Sequence, residues 1–203
     1  MIKQIIVFMV LFFTVWAPSL FAQSVEPSII PEIAGSQLNY AQYQNILFAK
    51  YIIKRDCKLD CSNLTLTTLG IMWQESHAGV DGPIGDISNG FGLRSYGVMQ
   101  IKLNVAMKML RLHPIFRYAY FQHRTITYDE VIARLILDNK FNILTGIYYI
   151  EYLHTKYRLT WNTTIRAYNQ GYGGKWNKKA SEYLANVQKV MRENNMLELA
   201  KGT

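Results

Sequence analysis

Apolar residues recur at helical spacing over most of the chain. From Tyr40 to Lys54 the series is Tyr40, Tyr43, Ile46, Leu47, Tyr51 and Ile52, which predicts an amphipathic helix. Leu66, Leu69, Met72, Trp73 and Ser76 predict a second helix over 64–76. The rhythm then fails between Gly79 and Gly97, where six of the 13 glycines fall, and a loop with short turns or a small hairpin is expected. Helical spacing resumes near Val98 and runs toward Leu112, and Pro114 punctuates it. Thr127 with Glu130 three positions on is a capping-box signature for a helix through about Asn139. Phe141, Leu144, Tyr148 and Tyr152 mark a long helix to Tyr157. Trp161 to Gln170 forms another, ended by Gly171, Gly173 and Gly174, and Trp176 to Met196 the last. No alternating strand runs and no internal repeats interrupt this. The expectation is an all-α fold, one domain over 39–203 with one glycine-rich loop.

Composition adds an N-terminal leader. Lys3 is followed by an apolar run from Ile5 to Ala17, broken only by Thr14. Pro18 and Leu20-Phe21-Ala22 come next, which is the layout of a signal peptide over 1–22 cleaved after Ala22. The run is short for a bilayer span, so no membrane anchor is expected after cleavage and a periplasmic location is. Residues 23–38, with Pro27, Pro31 and Gly35, read as an extended arm. Net charge is +8, or +7 without Lys3. Such a surface attracts polyanions, but export and the scatter of the basic residues argue against nucleic acid. Cys57 and Cys61 would staple a short loop as a disulfide in an oxidising compartment, a reading ranked above a metal site because no histidine is near them. The four histidines, 77, 113, 123 and 154, have no metal-ligand spacing. No metal and no cofactor are expected.

Glu75 carries the candidate chemistry. It shares a helix face with Ile71 and Met72 and lies at the helix's C-terminal end. Burial and the negative end of the helix dipole both favour its neutral form. A carboxyl kept protonated near neutrality can donate a proton to a leaving oxygen.

Three segments give that carboxyl a context: Glu75-Ser76, then Gly97-Val98-Met99-Gln100, then Ala167-Tyr168-Asn169-Gln170-Gly171. In this order they resemble the motifs of the soluble lytic transglycosylase family, whose domain has a lysozyme-like, goose-type fold. Phe141-Asn142-Ile143 with Gly146 and Tyr149, and later Tyr183-Leu184-Ala185-Asn186-Val187, resemble two further family segments. The likeness spans roughly Leu64 to Val190. It implies that Glu75 is the catalytic acid and base and that Tyr168 hydrogen-bonds it. It also implies that Gly97, Met99 and Gln100 line the glycan groove and that Asn169 holds the third motif's turn and the site. Ser76 follows the glutamate as in the family. A family serine that contacts an N-acetyl group has Ser88 as its first candidate here and Ser95 as its second. The link between the first two motifs is longer and richer in glycine than in the family. Phe91, Tyr96, Tyr168, Tyr172 and Trp176 flank the motifs as stacking faces for sugars; core packing is an equal reading for Tyr172 and Trp176 and the better one for Tyr148 and Tyr152.

The activity implied is non-hydrolytic cleavage of peptidoglycan between N-acetylmuramic acid and N-acetylglucosamine, leaving 1,6-anhydro ends. A hydrolytic lysozyme would need a second carboxylate, with Asp81 and Asp86 as the acids of the loop. A peptidoglycan-binding component of an envelope machine that kept the fold with little catalysis is a third possibility. The partners expected are glycan strands, and related small enzymes serve secretion, conjugation or pilus machines.

Overall fold

A computed structural model of the chain describes residues 32–33, 36–58, 60–85, 94–122 and 124–201. The expected signal peptide over 1–22, most of the 23–38 arm, and Asp86, Ser88, Phe91 and His123 lie outside the described residues. Within the arm, β1 (Glu32–Ile33) pairs antiparallel with β2 (Ser36–Gln37). The rest is mostly helical, in agreement with the all-α expectation. Among the described residues, no helix is long and apolar enough to cross a membrane.

Helix α1 (Tyr40–Asp56) opens on a reciprocal cap between Asn39 and Gln42 and buries Ile46, Ala49, Ile52 and Ile53. The Cys57–Cys61 disulfide joins its end to the start of α2 (Cys61–Ser76), with 5.7 Å between the Cα atoms. Helix α2 begins at Cys61, earlier than the apolar spacing placed it, because the Asp60 side chain accepts from the Asn63 amide and caps the first turn. It is the central helix, buried on most of its circumference from Leu64 to Met72. At Gly70 an added Cβ would come within 2.5 Å of Met191, so the small residue sets how closely the last long helix approaches. Burial of α2 on several sides carries Glu75, near its C-terminus, into the interior.

After Ser76 the chain turns through three left-handed residues, His77, Ala78 and Gly79, at φ 47°, 57° and 101°. The glycine-rich stretch returns as a small hairpin. In it β3 (Ser95–Tyr96) pairs antiparallel with β4 (Ile101–Lys102), and Ile84 bridges to Tyr96. The helix expected from Val98 therefore starts later, as α3 (Leu103–Leu112). The apolar side chains of Val98, Met99 and Ile101 are buried from a turn and a strand, which mimics helical spacing over so short a run. Pro114 does not only punctuate. It stands at the first position of α4 (Pro114–Phe121), where a missing amide costs nothing.

Helix α5 (Tyr128–Leu137) has the expected capping box: Thr127 and Glu130 each bind the other's backbone amide. Asp138 caps α6 (Asn139–Lys156). Phe116, Tyr120, Phe121 and Phe141 cluster where α4 meets α6, with the Phe116 and Phe141 centroids 5.2 Å apart. In α7 (Trp161–Gly174) the expected stop at Gly171 is a kink instead, at φ 72° and ψ 168°. Helices α8 (Lys178–Glu193) and α9 (Met196–Lys201) complete the chain. Helix α8 packs against both α2 and α7, and α9 against α2 and α8, so the C-terminal segments close over the central helix.

Candidate active site

The hairpin is held to the helices by two buried polar side chains. Asn142, fully buried on α6, accepts from the Met99 amide at 2.7 Å and donates to the carbonyls of Tyr96 (2.7 Å) and Leu135 (3.0 Å). Ser76, the residue after Glu75, donates to the Val98 carbonyl at 2.7 Å and accepts from the Gly79 amide at 2.9 Å. Each bond satisfies a backbone group that burial would otherwise strand. Gly97, at φ 73°, leaves room for this clamp: a Cβ there would stand 2.2 Å from both Asn142 Nδ2 and the Leu135 carbonyl. Met99 packs closely on Gly146, where an added Cβ would stand 2.7 Å from the Met99 Cε.

This frame walls a cavity of about 400 Å³. Glu75 opens into it from α2, Ser95, Gln100 and Lys102 from the hairpin, Asn104 and Val105 from α3, Tyr149 from α6, and Tyr168, Asn169 and Gln170 from α7. Ser95 Oγ donates to Gln100 Oε1 at 2.8 Å, and Gln100 Nε2 donates to the Gly97 carbonyl at 2.9 Å. Gln170 donates to Asn169, and Asn177 donates to Gln170 at 3.3 Å. The wall therefore offers a rim of amides and hydroxyls with a single carboxylate, Glu75, among the described residues.

Glu75 is half-buried, its open side the cavity and the remainder enclosed by protein. Burial pushes its carboxyl up from 4.5 to about 7, against the Tyr183 hydroxyl and Lys102, which both favour the ionised form. Tyr183, on the buried face of α8, donates to Glu75 Oε1 at 2.5 Å. Burial holds the Tyr183 and Tyr168 hydroxyls well above the usual tyrosine range, with the Glu75 charge adding to it, so both stay protonated.

The tyrosine expected to hydrogen-bond Glu75 is thus replaced by another. Tyr168 lies beside the carboxyl and lines the cavity, but its hydroxyl donates to the Met99 carbonyl at 2.7 Å. The Met99 amide is thus taken by Asn142 and its carbonyl by Tyr168. Of the residues expected on the groove, Gln100, Asn169, Ser95 and Tyr168 line it. Ser76, Tyr96, Gly97 and Met99 are buried beneath it and form its frame. Tyr183, Tyr149 and Gln170 stand in the segments that carry the resemblance but were given no role, and Lys102 and Asn104 were not named. The period of Ala180, Tyr183, Leu184 and Val187 puts Tyr183 on a buried face, but its partner is 108 residues away.

Asp81 pairs with His77 at 2.8 Å on the surface and does not line the cavity. Tyr172 and Trp176 are exposed, the first stacked on Tyr157 and the second under Arg166. Tyr148, which stacks on His113, and Tyr152 were both expected in the core, and both are half-buried. Among the described residues, no three His, Cys, Asp or Glu side chains are grouped so as to hold a metal. The chain matches no protein-family model, no curated protein and no solved structure.

Proposed function

We propose that this chain is a peptidoglycan lytic transglycosylase of lysozyme-like fold, with Glu75 as general acid and then general base. One observation carries the reading: a carboxyl that titrates near about 7 opens into a cavity with no second carboxylate among its described lining residues. Most hydrolases of glycosides use two carboxylates, the second to hold water or to attack the sugar. A single acid suffices where the substrate supplies its own nucleophile. Glu75 donates its proton to the glycosidic oxygen, and the bond from that oxygen to the anomeric carbon of N-acetylmuramic acid breaks. The resulting carboxylate then takes the proton of the muramoyl 6-hydroxyl as that oxygen bonds to the anomeric carbon. The product is a 1,6-anhydro end, and Glu75 is again protonated. Intramolecular attack avoids the entropic cost of recruiting water.

Tyr183 supports the ionised half of this cycle, since its hydrogen bond strengthens as charge develops on Oε1. Lys102 adds a positive field from the hairpin. The amides of Gln100, Asn169 and Gln170 suit hydroxyl and N-acetyl groups. The N-terminal leader expected from the sequence would deliver the enzyme to the periplasm, where this polymer lies.

Digestion of purified sacculi, with products resolved by mass spectrometry, tests the reading. Anhydro-muropeptides are expected from wild type, with at least about 100-fold less from Glu75→Gln. Reducing ends in their place would identify a hydrolase. Undiminished release by Glu75→Gln would remove Glu75 from the chemistry.

A further inference from the structure

Three walls of the cavity continue past it and converge. On α3, Lys108 stands one turn beyond Asn104 and Val105. On α6, Tyr152 stands one turn beyond Tyr149. On α7, Tyr172 follows Gly171 directly. Lys108 Nζ is 4.1 Å from the Tyr152 ring centroid, and the Tyr152 and Tyr157 hydroxyls are 3.4 Å apart. The Tyr157 ring stacks on Tyr172 at 3.9 Å, and Lys175 Nζ lies 3.5 Å from the Tyr172 centroid, so Tyr157 is braced by α7.

We propose that Lys108, Tyr152 and Tyr157 form a carboxylate-binding site one helical turn, about 5 Å, beyond the cavity. It holds an anionic group carried by the same glycan strand whose bond lies at Glu75. The inference rests on the glycan reading of that cavity and names the charge state of its substrate.

The three groups offer an ammonium and two phenolic hydroxyls, donors that suit the two oxygens of a carboxylate. Lys108 belongs to none of the ion pairs among the described residues. Its ammonium lies over the Tyr152 ring, and that positive charge with the Tyr157 hydroxyl holds the Tyr152 hydroxyl below the usual tyrosine value. The nearest acid along α6, Glu151, feels Asp56 and Lys58 instead. An ammonium with no ion-pair partner among the described residues, beside two phenolic hydroxyls, suits an anion.

Calorimetric titration of the full chain carrying Glu75→Gln, which prevents turnover, tests this. The probes are soluble peptide-bearing glycan strands and strands stripped of peptide, each with free and with amidated carboxylates. Amidation is expected to weaken binding about tenfold, the order for a charge-assisted hydrogen bond at a half-exposed site. Adding Lys108→Gln, or Tyr152→Phe with Tyr157→Phe, should abolish that preference, and an unchanged circular dichroism spectrum and melting temperature report an intact fold. Stripped strands that retain the preference identify the lactyl carboxylate; stripped strands that lose it identify the stem peptide. Equal binding of free and amidated strands, a preference that survives Lys108→Gln, or no binding of any strand overturns the proposal. Strand binding with the preference but without anhydro products from wild type would leave this site standing and refute the catalytic reading.

Discussion

Replacing Glu75 with glutamine should stabilise the protein above neutral pH and leave it nearly unchanged in mild acid. The folded carboxyl titrates at about 7 in place of 4.5. That gap of about 2.5 in pKa, at about 1.36 kcal/mol each, is worth about 3 kcal/mol. The sign follows from proton binding. Between the two values the folded state holds the proton and the unfolded state has lost it, so stability falls as pH rises from about 4.5 through about 7. Below the lower value both states are protonated and the cost vanishes. Glutamine is neutral throughout, similar in shape, and keeps an oxygen to accept from Tyr183. Urea unfolding of both proteins at about pH 4.5 and about pH 8 measures the effect. The variant should gain about 2–3 kcal/mol over wild type at the higher pH, and that gain should shrink toward zero at the lower. A stability difference that stays constant across this range would show that Glu75 ionises in the fold as freely as in water, and the case for it as a proton donor would collapse with it.

Tyr183→Phe keeps the buried ring and removes the donor to Oε1, so the Glu75 carboxyl should rise by about 1–2 in pKa above its value of about 7. Carbon-13 NMR titration of the carboxyl reads this directly, and an unmoved midpoint would mean that the hydrogen bond does not form. Gly97→Ala should cost more than about 2 kcal/mol, because the new methyl would meet Asn142 and the Leu135 carbonyl from a left-handed backbone. Thermal unfolding checks it, and a change under about 0.5 kcal/mol would mean that the clamp can shift aside.

The helices were legible where local chemistry decides them, and the hairpin was not. Thr127 and Glu130 stand three apart and satisfy each other's amides wherever the chain goes, so sequence alone locates α5. Val98, Met99 and Ile101 are buried by contacts with α2 and α6, and their spacing carried no trace of the turn at Gly97. Pro114 fits both a stop and a start, and the apolar positions after it had to decide. At the site, Glu75 could be found from its helix face and neighbouring segments. Which tyrosine would reach it could not: Tyr168 and Tyr183 are both buried beside the carboxyl, and the Met99 carbonyl draws off the proton of the first.

The clamp formed by Asn142 and Ser76 has a consequence for how such a protein can diverge. It grips peptide groups of the hairpin, and Ser95 and Lys102, which face the cavity, bond to none of those groups, whereas Gln100 donates to the Gly97 carbonyl within the turn. Exchanges at Ser95 and Lys102 would change the chemistry of the cavity wall while the architecture beneath stays put. Exchanges at Asn142, Gly97 or Ser76 would disturb the whole hairpin wall at once. Selection for a new wall chemistry therefore has somewhere to act without first repairing the fold.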